Sequence, residues 1–334
     1  MHNQDLFLEV KQNNRFALSK AITLMESHRT EDYPLIKRLL DKMLGHRGSK
    51  TFRVAISGAP GVGKSTFINT FVSHIASIGK KVAVLTVDPS SVDDRGSILG
   101  DKVRMEKIAN HPNVFIRSTP HHQTPGGVSA ATWDTIHLCE EAGYDLILVE
   151  TVGVGQVELR ASKMTDFFIY ITQPGSGDDL QGLKKGIMEI ADLIVINKSD
   201  GDLLKVGLKT KKMLESVLQL LNVKKNKWTV TVQTCSAIDN TGITEVWESI
   251  KKFFDIGFEY GNIEKTRRAQ EFAWYEDTKK QILLRKIKET ILDDDLNEQD
   301  SKYHNGEVTA YHALRNFSES LDRKLDGLLT NKKI

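Results

Sequence analysis

Cysteine is nearly absent from this chain: Cys139 and Cys235 are the only two in 334 residues, and they lie far apart in sequence. They offer no disulfide framework and no zinc-ligand spacing, and they fit a reducing compartment. Net charge is almost absent too, since 46 Lys and Arg against 44 Asp and Glu leave a formal +2. That removes any global pull toward nucleic acid or a membrane surface. No apolar run approaches the length that spans a bilayer. The first residues, MHNQDLFLEVKQNNRF, carry Asp5 and Glu9 and lack an apolar h-region. They read neither as a secretory signal nor as an Arg-rich, acid-poor transit peptide. Internal repeats and low-complexity segments are missing as well. The expectation is a globular protein of the cytoplasm, with no nucleic-acid partner and no membrane partner.

What is present falls into three stretches. Residues 1–48 read as helical, with Phe16, Leu18, Ile22, Leu24 and Met25 interleaved with charges. Pro34 breaks that pattern, and a second helix is expected over Leu35–Leu44, closed by Gly45 and Gly48. From residue 51, short apolar runs alternate with helical patterns. The runs are Phe52–Ser57, Val82–Val87, Leu146–Thr151, Phe167–Thr172, Leu193–Asn197 and Trp228–Gln233. Continuous rather than alternating apolar runs suggest strands buried on both faces. Helices between them suggest βαβ crossovers, hence an α/β fold with a mostly parallel sheet flanked by helices over 49–255. After Gly261 the strands stop. Residues 264–293 are helix-prone, the polar stretch DDDLNEQDSK follows, and a last helix is expected near 307–328. This third stretch, 256–334, is either a cap on the core or an arm that pairs two chains.

Gly58-Ala59-Pro60-Gly61-Val62-Gly63-Lys64-Ser65 matches G-x-x-x-x-G-K-S/T at every fixed position. It follows an expected strand and opens an expected helix that continues through Thr66, which is the context that defines a phosphate-binding P-loop. Its glycines let successive N–H groups point at phosphates, and the helix N-terminus adds partial positive charge. Lys64 should reach the β- and γ-phosphates, and the Ser65 hydroxyl should ligate Mg²⁺.

Asn197-Lys198-Ser199-Asp200 caps the run Leu193–Ile196 and has the form N-K-x-D. The Asp200 carboxylate can accept from N1–H and the exocyclic amine of guanine, whereas adenine would leave it unpaired. Lys198 should cover the base, and Asn197 should tie this loop to the P-loop. Ser236-Ala237, after the next strand, fits a last base-contacting segment acting through backbone N–H groups. These features point to a P-loop hydrolase that binds GTP and GDP and cleaves GTP to GDP and phosphate.

Glu150-Thr151-Val152-Gly153 ends another apolar run where many GTPases carry D-x-x-G. Glu150 would hold Mg²⁺ or a water on it, and the Gly153 N–H would sense the γ-phosphate. Asp88, in Asp88-Pro89-Ser90-Ser91, and Asp101, after a glycine-bearing loop, are further candidates for the metal's surroundings. The glycine-rich loop from Pro174 to Gly186 is a candidate third switch. Val154 stands where Ras-type enzymes carry a water-orienting glutamine. Valine cannot orient water, so slow intrinsic hydrolysis that a partner accelerates is expected.

Together, GAPGVGKST, VDPSS, GSILGDKVRM, VETVGVGQ, GSGDDLQGLKKG and NKSD resemble the MeaB/ArgK family, which includes the methylmalonic aciduria type A protein. These are G proteins that escort adenosylcobalamin-dependent methylmalonyl-CoA mutase. The resemblance covers about residues 35–290, and glutamate at position 150 is the family's usual residue there. It implies a Mg²⁺–phosphate constellation of Lys64, Ser65, Asp88, Asp101 and Glu150. It places Gln181 and Lys184 in a third switch that couples mutase binding to hydrolysis, and it makes the C-terminal helices a dimerisation arm, hence a homodimer. The implied role is a chaperone that gates cofactor loading of the mutase. Where relatives tend to read S-P-T-x-G-T-L-G-G, this chain has Thr119-Pro120-His121-His122-Gln123-Thr124-Pro125-Gly126-Gly127, a departure read as a surface loop. Two alternatives stay open. A nickel-inserting GTPase would need Cys/His ligands at working spacing, and a transport-associated ATPase or kinase would need an adenine site, which Asp200 opposes.

Overall fold

The computed structural model describes residues 5–27, 29–43, 50–88, 105–120, 127–151, 156–175, 185–221, 224–225, 228–291 and 301–330. Its strands are β1 (Phe52–Gly58), β2 (Val82–Asp88), β3 (Val114–Pro120), β4 (Leu146–Thr151), β5 (Phe167–Thr172), β6 (Leu193–Ile196), β7 (Lys224–Lys225), β8 (Trp228–Thr229) and β9 (Thr231–Thr234). Seven of them form one sheet in the order β3-β2-β4-β1-β5-β6-β9, and every pairing in it is parallel. β7 and β8 make a separate antiparallel pair.

Three departures from the sequence expectation have physical reasons. β3 was not expected, because its apolar run is short and gives way to Arg117, Ser118 and Thr119. It is an edge strand with β2 as its neighbour, and an edge tolerates both polar residues and the terminal Pro120. The run Trp228–Gln233 splits at Val230, because Trp228 is drawn into the core. Its Nε1 donates to the Asp192 carbonyl at 2.9 Å, and its ring meets Phe167 and Phe253 edge-on. Pro34 does not break a helix but lies in the first turn of one, where its missing N–H is not needed.

The helices are α1 (Leu6–Lys11), α2 (Arg15–Met25), α3 (Tyr33–Met43), α4 (Lys64–Ser77), α5 (Glu106–Ala109), α6 (Gly127–Glu141), α7 (Gln156–Ser162), α8 (Lys185–Ile190), α9 (Leu203–Leu221), α10 (Ile243–Glu259), α11 (Asn262–Ile291) and α12 (Ala310–Thr330). Side chains start the first two: Asp5 accepts from the Phe7 N–H, and Asn14 accepts from those of Phe16 and Ala17. The chain divides into two units, Met1–Phe272 and Ala273–Ile334. Within the first, β1 is central and buried from Val54 onward. Phe67 and Phe71 of α4 and Trp247 and Phe254 of α10 pack with it in one apolar core, and Phe52 stacks on Phe254 at 4.0 Å. The second unit holds the rest of α11 and α12, with Ile282, Leu283, Leu284, Tyr311 and Leu314 exposed.

The base of β1 is held by charge. Arg53 makes two 2.7 Å bonds to Glu140 of α6, and Arg267 of α11 pairs with Asp166 at 2.6 Å while donating to the Thr51 carbonyl. Burial pushes Glu140 upward. Hydrogen bonding from His137 and the Arg53 and Arg267 charges outweigh it and hold the carboxyl at about 2. A depressed carboxyl contributes stability above its unfolded value and loses it as pH falls. Acid unfolding should therefore steepen between about 4.5 and about 2. Arg267→Ala leaves the fully buried Asp166 unpaired and is expected to destabilise by about 3–5 kcal/mol. Urea melts at neutral pH check the second expectation, and circular dichroism along an acid titration checks the first.

Candidate functional site

The carboxyl ends of the central strands bring together those sequence candidates that lie among the described residues. Gly58 ends β1 with φ +158°, and a Cβ there would lie 2.2 Å from the Ile171 carbonyl oxygen on β5. Only glycine lets the two strands run this close. The loop through Ala59, Pro60, Gly61 and Val62 then turns into α4. Gly63 caps α4 in the left-handed conformation and with no side-chain cap, so the first amides of the helix, from Lys64, Ser65 and Thr66, have no side-chain acceptor. Lys64 Nζ donates to the Gly58 and Ala59 carbonyls at 2.6 and 3.1 Å. Burial pushes the Lys64 pKa down, against Glu150 and then Glu158, which raise it. Glu150 is half-buried on β4, level with Ile56 of β1 and Thr86 of β2.

Asn197 joins this loop to two others. Its Nδ2 donates to the Val62 carbonyl at 2.9 Å and to that of Gly63 at 3.4 Å. Its Oδ1 accepts the Ala237 N–H at 3.1 Å and the Cys235 thiol at 3.4 Å. The amide fits because Gly63 has no side chain: a Cβ there would sit 2.6 Å from Asn197 Nδ2. Lys198, at φ +59°, lays its ammonium on the Gly61 carbonyl at 2.6 Å and on Gln173 Oε1 at 3.3 Å. Ser199 bonds the Cys235 carbonyl through its N–H and the Ile196 carbonyl through its hydroxyl. Asp200 follows, half-buried, and its Oδ2 is buried with no hydrogen-bond donor. Ser236 pairs with Thr241 in a tight bridge. The Ala237 carbonyl accepts from Thr70 of α4 at 2.7 Å. The Ala237 N–H, which the sequence reading offers to a base, is given instead to Asn197.

The backbone of Asp88 ends β2, while its side chain lies outside the described residues, as do Asp101, Gly153, Val154, Gln181, Lys184 and the His121–His122 pair. The structure adds residues the sequence reading missed. Glu158 is 2% exposed in α7, has one oxygen without a donor, and acts on Lys64. Gln173, Thr70 and Cys235 hold the loops. No short motif marks them, since each acts through a neighbour distant in sequence.

A sequence model of the family described as methylmalonyl Co-A mutase-associated GTPase MeaB matches residues 18–291. The chain belongs to the MeaB family. This MeaB-family GTPase is 43% identical to GTPase ArgK of Escherichia coli K12 over 275 residues, 82% of this chain and 83% of ArgK. It is 41% identical to the mitochondrial methylmalonic aciduria type A homolog of Mus musculus over 278 residues, 80% of this chain and 67% of that one. Among solved structures, one titled LAO/AO transport system kinase superposes with a TM-score of 0.74 at 33% identity, covering 96% of this chain and 99% of its own. Family membership makes the P-loop and the N-K-x-D loop parts of one GTPase.

The Asn197→Ala variant leaves the Val62 carbonyl and the Ala237 N–H without their partner. We expect a loss of about 2 kcal/mol in stability and a fall of about tenfold or more in GDP affinity, read by thermal melts and fluorescent-nucleotide titration. Gly63→Ala should weaken nucleotide binding comparably, since it drives a methyl group into the same amide.

Proposed function

We propose that this GTPase uses Mg²⁺ and GTP to regulate an adenosylcobalamin-dependent methylmalonyl-CoA mutase, gating cofactor loading and protecting the enzyme. The observation that carries the nucleotide part is the buried, donor-less Asp200 oxygen, in a loop that Asn197 clamps to the P-loop. A carboxylate in that position is matched by the adjacent N1–H and amine of guanine. Ser236 and Ala237 shape the far wall. The backbone N–H groups between Gly58 and Thr66, Pro60 excepted, surround the phosphates, Lys64 leaves its two carbonyls for the β- and γ-oxygens, and Gly153 senses the γ-phosphate. Ser65 and Glu150 are the hard oxygen donors Mg²⁺ prefers, with Asp88 and Asp101 completing its surroundings. Bound there, the ion supplies charge neutralisation at the transferring phosphoryl group.

The partner assignment rests on the family, whose name records association with that mutase. Gln181 and Lys184 form the third switch that passes the nucleotide state to it, and the C-terminal helices pair two chains into a homodimer. We place the protein in the cytoplasm. Among the described residues no helix is long and apolar enough to cross a membrane. Nickel insertion finds no support here. Cys139 and Cys235 are buried, and burial pushes both thiols up, Cys235 to about 12, whereas metals bind the thiolate.

Hydrolysis of GTP, with ATP as control, should be slow alone and rise about tenfold or more with methylmalonyl-CoA mutase, a barrier change of about 1.4 kcal/mol. Turnover indifferent to the mutase removes the partner and leaves the GTPase. Asp200→Asn turns one acceptor into a donor, which suits the C2 oxygen of xanthine. Its guanine affinity should drop by about a hundredfold or more while xanthosine nucleotides gain, measured by competitive binding.

A further inference from the structure

The N-terminal helices carry a feature that nucleotide binding does not use. α1, α2 and α3 enclose a groove of about 1000 Å³, at the upper limit of small-molecule sites. Its walls are one face of each long helix: Phe16, Lys20 and Leu24 of α2 opposite Leu35, Arg38 and Leu39 of α3. The spacing is helical on both sides. α2 spends its other face, Ala17, Leu18, Ala21 and Ile22, on the core. α3 is amphipathic, yet Leu39 is its one buried residue. Phe16 is 77% exposed and Leu35 52%. Large apolar side chains left open along a groove mark a recognition surface.

The charges select the occupant. Each acid lining the groove is already held by a cation of this chain: Asp5 by Lys42, Asp32 by Arg29 and Glu26 by Arg117. Lys20 and Arg38 line the opposite walls, and neither has a carboxylate partner among the described residues. The groove therefore presents apolar pockets between two cations that no described carboxylate pairs. We infer that it receives an amphipathic helix of a partner protein, with apolar residues at i, i+3, i+4 and i+7 and glutamates or aspartates on both flanks. This inference is independent of the mutase assignment, and it lies on the helical face rather than on the switch loops.

The test uses the full chain and two synthetic helices of about five turns with the same leucine stripe, one flanked by glutamates and one by lysines. The acidic helix should bind at least about tenfold tighter than the lysine one, weaken as salt rises, and lose about tenfold in the Lys20→Glu and Arg38→Glu variants. Phe16→Asp should abolish binding. GTP hydrolysis stays unchanged in all three, which shows that they fold. Equal binding of both helices, or acidic binding untouched by the charge reversals, overturns the inference. So does groove-dependent self-association in sedimentation, which would make a second copy the occupant. Binding to phosphatidylglycerol vesicles with no binding of the acidic helix overturns it in favour of a membrane surface.

Discussion

Asn197 is a single buried amide, and three loops from distant parts of the chain depend on it. Four hydrogen bonds leave its side chain, two to the P-loop carbonyls of Val62 and Gly63 and two from Cys235 and Ala237. An amide has a donor end and an acceptor end, and here each end meets its complement. Aspartate would face carbonyls with a charge, and leucine would strand all four partners. Because the amide is satisfied only when all three loops are in place, it makes the P-loop, the N-K-x-D loop and the Cys235–Ala237 segment one unit. Lys198 adds a further link at the surface, crossing from Gly61 to Gln173, the residue after β5.

The clamp works because β1 is rigid at both ends. At its base Arg53 and Arg267 gather Glu140 and Asp166 into a buried, fully paired cluster. At its tip Gly58 lies against β5 with no room for a methyl group. Between them the strand is sealed in apolar packing. Loops mounted on so stiff a strand can hold the first amides of α4 in position before any nucleotide arrives, and preorganisation of that kind is what electrostatic catalysis of phosphoryl transfer requires. Family membership and this geometry agree on the chemistry, while the N-terminal helices hold a groove that the nucleotide site does not use.

Much of this was legible in the residues. Buried parallel strands read as unbroken apolar runs, so β1, β4 and β5 stand within a residue of their expected bounds. The P-loop and N-K-x-D are contiguous motifs, because phosphate and guanine are each read by a few successive residues. Edge strand β3 was not legible, since an edge need not be apolar. The break at Val230 was not either, since one indole chose the core over the ladder.

Local sequence determined where the P-loop and the N-K-x-D loop stand, at the ends of apolar strands, and that glycine occupies 58 and 63. Tertiary structure alone decided what those glycines make room for, namely the Ile171 carbonyl and the Asn197 amide. It also decided that Ala237 gives its N–H to Asn197, that Glu158 acts on Lys64, and that Lys20 and Arg38 line a groove with no carboxylate partner among the described residues. The physical reason is range. Backbone conformation and motif chemistry act over a few residues, whereas hydrogen bonds, burial and charge pairing join residues more than a hundred positions apart, and only the folded chain says which ones meet.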